Sequence, residues 1–70
     1  MKRQFDEHWD DWKVGDEIVW KDFQDGEIFV ITGFKTSIHW ISRYVQWRNP
    51  RGGEINETRD TNLLRVRMVE

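Results

Sequence analysis

The feature that most limits the fold of this chain is that it has only 70 residues and no cysteine. A chain of this length is close to the lower limit at which one hydrophobic core offsets the loss of chain entropy. Disulfides cannot add stability, and two histidines without cysteine do not predict a structural zinc site. Five Trp, four Phe and one Tyr must supply most of the core, since each large ring buries roughly 150 to 250 Å². We therefore expect one domain stabilised mainly by aromatic rings.

From Val14 onward, apolar and polar residues alternate in short segments separated by turn residues, which is typical of β-strands. The strand segments are VGDEIVWK, EIFVITGF, SIHWI (37–41), RYVQWR and LLRVRMVE. Their close spacing leaves no room for crossover helices, so the pattern predicts five strands in an antiparallel meander closed on itself. Trp20 and Trp47 are expected in its core.

The first residues show a different periodicity. Phe5, Trp9 and Trp12 are spaced at i, i+4 and i+7, which places them on one face of a helix. Acidic residues near the start of this segment favour the positive end of a helix dipole. A short amphipathic helix is therefore predicted within residues 1–12, before a barrel over residues 13–70. We expect it to cover an open end of the barrel; the alternative is a recognition arm that binds a basic groove or mimics nucleic-acid charge.

A family resemblance rests on four short motifs: Val14-Gly15-Asp16-x-Ile18, Gly26-x-Ile28-x-x-Ile31, Val45-x-Trp47 and Leu63-x-x-Val66. With them, residues 13–69 resemble a Src-homology-3 (SH3)-type small barrel, closest in style to Tudor and KOW domains and to small barrel proteins encoded by bacteriophages. The resemblance implies an all-β fold, a five-stranded antiparallel SH3-like small barrel, here with a short N-terminal α-helix. It is also compatible with an accessory protein of a phage or mobile element.

The charges are divided unevenly along the chain. Residues 1–27 contain nine acidic and four basic residues, whereas residues 28–70 contain seven basic and four acidic ones, and the net charge is −2. Such asymmetry indicates either two faces for two kinds of partner or two halves that attract each other.

The composition argues against an enzyme. Neither a serine nor a threonine lies in a recognisable motif beside a base, and His8 and His39 are the only ordinary general bases. A barrel filled by its own tryptophans also leaves little room for a catalytic cleft. We therefore expect no catalysis, no cofactor and no metal. No apolar run approaches the ~20 residues of a membrane span, so a soluble, cytoplasmic protein is expected.

Protein binding is the first functional hypothesis, because interfaces favour Trp, Tyr and Arg and the chain is rich in Trp and Arg. The residues considered for an unidentified protein partner are Phe23, Trp40, Tyr44, Trp9 and Trp12. An exposed strand edge would also allow pairing with another chain, so a monomer or a weak homodimer is expected.

The alternative is a small single-stranded DNA- or RNA-binding protein. The residues of this hypothesis are Lys35, Arg43, Arg48, Arg51, Arg65 and Arg67, with Tyr44 as a stacking platform. The net charge of −2 and the isoelectric point near 5.6 argue against it, because nucleic-acid binders usually carry a strong basic footprint.

Overall fold

The computed structural model describes residues 2–36 and 43–69, and in these ranges the chain is all-β. Its strands are β1 (Lys2–Asp6), β2 (Glu17–Trp20), β3 (Phe29–Thr36), β4 (Arg43–Arg48), β5 (Asn56–Arg59) and β6 (Leu63–Val69). Two short 3₁₀ turns, Trp9–Asp11 and Asp60–Asn62, are the only helical segments in the described ranges. Neither has the length or the apolar character needed to cross a membrane.

The strands form one antiparallel sheet in the order β1-β6-β2-β3-β4-β5. The all-β prediction is confirmed, but the prediction of a closed five-stranded barrel is wrong. The sheet has six strands, and β6 pairs with β1 on one side and with β2 on the other. Because β1 occupies the free edge of β6, the described strands leave β5 at the opposite edge of an open sheet.

The predicted N-terminal helix is also wrong. Residues Lys2–Asp6 form strand β1, which pairs along its whole length with β6, from Lys2 opposite Val69 to Asp6 opposite Arg65. A helix of about ten residues is marginal in water, whereas pairing with β6 satisfies backbone groups and adds β1 to the sheet. The segment 1–12 is therefore not a separate helical unit.

Four of the six strands, β2, β3, β4 and β6, coincide with predicted strand segments. The predicted strand 37–41 lies outside the described residues. Strands β1 and β5 were not predicted, because their sequences KRQFD and NETR contain one apolar residue between them. Edge strands with few buried side chains lack the alternation that marks interior strands.

Apolar side chains pack on both faces of the sheet, and not in one interior. The main cluster contains Trp12, Ile18, Phe29, Ile31, Val45, Trp47 and Leu63, with Trp9 and Phe34 packed against it. A smaller cluster contains Val19, Leu64 and Val66, with Phe5 and Ile28 packed against it. Neighbouring residues such as Ile18 and Val19 belong to different clusters because successive strand residues point to opposite faces.

An irregularity in strand pairing shapes the main cluster. The register between β3 and β4 shifts between Ile31 and Gly33. Without the shift, Ile31 and Phe34 would point to opposite faces; with it, both contact the main cluster.

The two core tryptophan predictions have different outcomes. Trp47 is buried, as predicted, but Trp20 is 37% exposed, so its assignment to the core is wrong. Trp20 is the last residue of β2, and one side of its ring therefore meets solvent while the other packs edge-on against Phe29 and Trp47.

Candidate functional site

Arg65 lies at the centre of a charged network that joins the two ends of the chain. Its Nε and Nη2 donate to Asp6 Oδ2 at 3.1 and 3.0 Å. Its Nη1 donates to the Asp11 carbonyl at 3.2 Å and to Asp16 Oδ2 at 3.4 Å. The residue is 7% exposed. We call Arg65, Asp6, Asp16 and the Asp11 carbonyl the Arg65 network; it favours the interpretation that the acidic and basic halves attract each other.

The network shifts the pKa values of Asp6 and Arg65. Burial raises the pKa of Asp6, but hydrogen bonds from Arg65 and from the His8 amide, together with the charge of Arg65, lower it below its usual value. Burial lowers the pKa of Arg65, but hydrogen bonds to Asp6 and Asp16 and their negative charges raise it above its usual value. Both groups are therefore charged at neutral pH, and Arg65 is engaged within the protein.

An open cleft of about 410 Å³ lies beside this network. Its lining residues are Asp10, Asp11, Lys13, Asp16, Arg65 and Arg67. This lining mixes both signs of charge and includes no histidine, serine or threonine. Within residues 2–36 and 43–69, no three His, Cys, Asp or Glu side chains are grouped as a metal site.

The cations of the nucleic-acid hypothesis do not form one surface. Arg65 is buried, the Nε of Arg67 is 3.8 Å from Asp6 Oδ2, and the Nε of Arg43 is 3.9 Å from Asp60 Oδ2. The Arg43 guanidinium also stacks 4.5 Å from the centre of the Phe34 ring. Lys35, Arg48 and Arg51 are exposed.

A row of three side chains crosses β3, β4 and β5 on the face opposite the main cluster. Lys35 lies opposite Tyr44, and Tyr44 lies opposite Arg59. The Arg59 guanidinium is 5.8 Å from the centre of the half-buried Tyr44 ring. Sequence reasoning missed Arg59, because β5 lacks the alternation of apolar and polar residues that would have marked it as a strand.

The aromatic residues of the protein-binding hypothesis are distributed between core and surface. Trp12 is 3% exposed inside the main cluster, and Trp9 packs against that cluster. Tyr44 is half-buried, and Trp40 lies outside the described residues. Phe23 is 66% exposed, which makes it the most exposed of the members that the structure describes.

Phe23 is held beside Trp20 by the tight turn that follows β2. The Phe23 amide donates to the Trp20 carbonyl at 3.0 Å, and the Gly26 amide donates to the Phe23 carbonyl at 3.0 Å. Gly26 lies directly against the Phe23 ring, and a Cβ at this position would collide with it. We call Trp20 and Phe23 the aromatic edge.

Comparison of the chain with family models, curated proteins and solved structures finds no match.

Proposed function

We propose that this protein is a non-catalytic protein-binding module, an adaptor or inhibitor, that contacts its partner through the aromatic edge. The observation that carries the proposal is that Phe23 is 66% exposed although its ring packs on Gly26 in a hydrogen-bonded turn. An exposed ring that is already positioned loses little conformational freedom on binding, which favours affinity.

Trp20 supports the same proposal. Its ring packs edge-on against Phe29 and Trp47, with centroid distances of 6.5 and 6.0 Å, so the core braces a ring that remains 37% exposed. Aromatic side chains that are rigid and partly exposed are typical anchors of protein interfaces. Trp20 and Phe23 are joined by one tight turn, so together they offer a partner an apolar contact at one end of the sheet.

The test is site-specific photo-crosslinking in extracts of the native host. A photoreactive phenylalanine analogue replaces Phe23 in one protein and Val14 in a control, because Val14 is almost equally exposed at 64%. We expect a partner protein to be crosslinked at position 23 but not at position 14. Excess wild-type chain should prevent this crosslink, whereas excess Phe23→Ala should not. Equal labelling at both positions, or displacement by both competitors, would contradict the proposal.

The SH3-type resemblance is proposed for the strand arrangement alone. Its support is the position of β6, which returns to lie beside β2, the first strand of the region 13–69. A five-stranded meander that curls on itself brings its last strand beside its first in this way.

A second candidate function, binding of single-stranded nucleic acid, is favoured by the row of Lys35, Tyr44 and Arg59. Cations on both sides of an aromatic ring suit a phosphate backbone with a stacked base. We expect Lys35→Glu with Arg48→Glu to weaken binding of a labelled oligonucleotide in fluorescence anisotropy, with a reduced salt dependence. Wild-type protein that shows no salt-sensitive binding would exclude this function.

A further inference from the structure

Strand β5 is an exposed edge whose side chains are held in place by β4. Gln46 Nε2 donates to Glu57 Oε2 at 3.0 Å, and Trp47 Nε1 donates to Thr58 Oγ1 at 3.0 Å. Thr58 lies on the main-cluster face, whereas Glu57 and Arg59 lie on the opposite face. The described strands contain no partner for the outer side of β5. Such an edge presents backbone donors and acceptors to another strand.

We propose that β5 pairs antiparallel with β5 of a second copy of this chain, with Thr58 opposite Thr58 of that copy. A closed dimer of this kind has a two-fold axis perpendicular to the sheet, so one residue of β5 must lie opposite itself. Centring on Thr58 places Glu57 opposite Arg59 of the second copy, and Arg59 opposite its Glu57. The symmetric dimer then contains two identical ion pairs on one face.

The charges of β5 select this register over its neighbours. Centring on Glu57 or on Arg59 would place two like charges directly opposite each other, which is destabilising. Centring on Asn56 would place Glu57 opposite Ile55 and would form no ion pair. Opposite charges and Thr–Thr pairs in direct cross-strand positions are both favourable. The Thr58-centred register contains both kinds of pair.

The other edge of the sheet is less suited to the same pairing. Strand β1 centred on Gln4 would place Lys2 opposite Asp6 of a second copy. The Asp6 carboxylate already accepts two hydrogen bonds from Arg65, so it is engaged within its own chain. Glu57, by contrast, is exposed and has one oxygen that accepts from Gln46.

The dimer is expected to be weak. A standard protein interface buries about 800 Å² on each partner, and a four-residue strand covers much less. Sedimentation velocity of the full chain over about 10 µM to 1 mM should therefore show a rise in sedimentation coefficient with concentration.

Charge reversal tests the register. Glu57→Arg and Arg59→Glu should each weaken dimerisation about tenfold or more, because both ion pairs become like-charge pairs. The double variant Glu57→Arg with Arg59→Glu restores the pairs in reversed order and should restore the dimer. Glu54→Arg is the matched control, since it makes the same charge change at an exposed residue outside β5. Circular dichroism establishes whether each variant is folded. If Arg59→Glu does not fold, Glu57→Arg alone tests the register.

Three results would overturn the proposal. Wild-type chain that stays monomeric at about 1 mM has no β5 pairing of the proposed strength. A dimer that Glu57→Arg leaves intact, or that the double variant fails to restore, uses another surface or register. Species that grow beyond a dimer would indicate an open assembly, for example β1 against β5, and would exclude the two-fold arrangement.

Discussion

Replacing Arg65 by methionine tests whether the Arg65 network holds residues 6–16 against the sheet. Methionine replaces the stem of the arginine side chain with an unbranched apolar one but lacks the guanidinium, so it removes every hydrogen bond to Asp6, Asp16 and the Asp11 carbonyl. Removing one partner of a buried ion pair costs about 3 to 5 kcal/mol, because the other charge is left buried and unpaired. The side chains of Asp6 and Asp16 are 22% and 31% exposed, so water screens part of this penalty. We expect a loss of about 2 to 4 kcal/mol.

This loss is large for so small a protein. A domain of this length has about 4 to 10 kcal/mol of stability in total, and each kcal/mol changes its midpoint temperature by about 4 to 8 °C. Thermal unfolding followed by circular dichroism should show Arg65→Met melting about 10 to 30 °C below the wild type.

The control is Arg67→Met, since Arg67 lies 3.8 Å from the same Asp6 oxygen with its side chain 61% exposed. An exposed pair of this kind contributes little, and we expect a change of at most about 0.5 kcal/mol. Equal destabilisation by Arg65→Met and Arg67→Met would refute the reasoning. So would a double-mutant cycle between Asp6→Asn and Arg65→Met that gives no coupling free energy.

Three further predictions concern the N-terminal segment and the aromatic edge. Because the pKa of folded Asp6 is below its usual value, its contribution to stability should be complete above about pH 4 and be lost as the pH falls toward the folded pKa. The free energy of unfolding, measured with urea at several pH values, should fall in this way for the wild type and less steeply for Asp6→Asn. Equal slopes of this free energy against pH in the two proteins would contradict the prediction. Trp12→Ala should lower the free energy of unfolding by about 3 to 5 kcal/mol in denaturant, because it leaves a cavity in the main cluster. Trp9→Ala should lower it less, since Trp9 only packs against that cluster, and the reverse order would contradict this packing. Gly26→Ala should displace the Phe23 ring and shift its NMR signals, and unchanged signals would show that the ring does not rest on Gly26.

The strands with buried side chains were predictable because their signal is local. In β4, Val45 and Trp47 alternate with polar residues, and in β6 the same period separates Leu64 and Val66 from Arg65. A period of two fixes which residues share a face without any knowledge of neighbouring strands. It does not fix how far a residue lies from the end of the sheet, which is why Trp20 is 37% exposed while Ile18 is buried.

The N-terminal segment was not predictable from its own residues. The spacing of Phe5, Trp9 and Trp12 fits one helical face, yet the structure places Phe5 against the smaller cluster and Trp12 inside the main one. The decisive interaction is pairing with β6, at the other end of the sequence. Such pairing outweighs a weak local preference because a short helix has little stability of its own.

Of the candidate functional residues, Phe23 was predictable from the sequence and Arg65 was not. The exposure of Phe23 followed from its place in a loop after β2, where side chains usually meet solvent. The role of Arg65 did not follow, since the sequence presents it as one arginine among several. Its pairing with Asp6 and Asp16 exists only because β1 and the turn before β2 both approach β6.

The sequence by itself determined strands β2, β3, β4 and β6, because alternation and turn residues act over a few neighbouring positions. Only the tertiary structure decided that the described strands form an open sheet with β1 and β5 at its edges, that apolar side chains pack on both of its faces, and that Arg65 is buried among carboxylates. These features depend on contacts between residues far apart in the chain, and their free energies arise only when the whole sheet assembles.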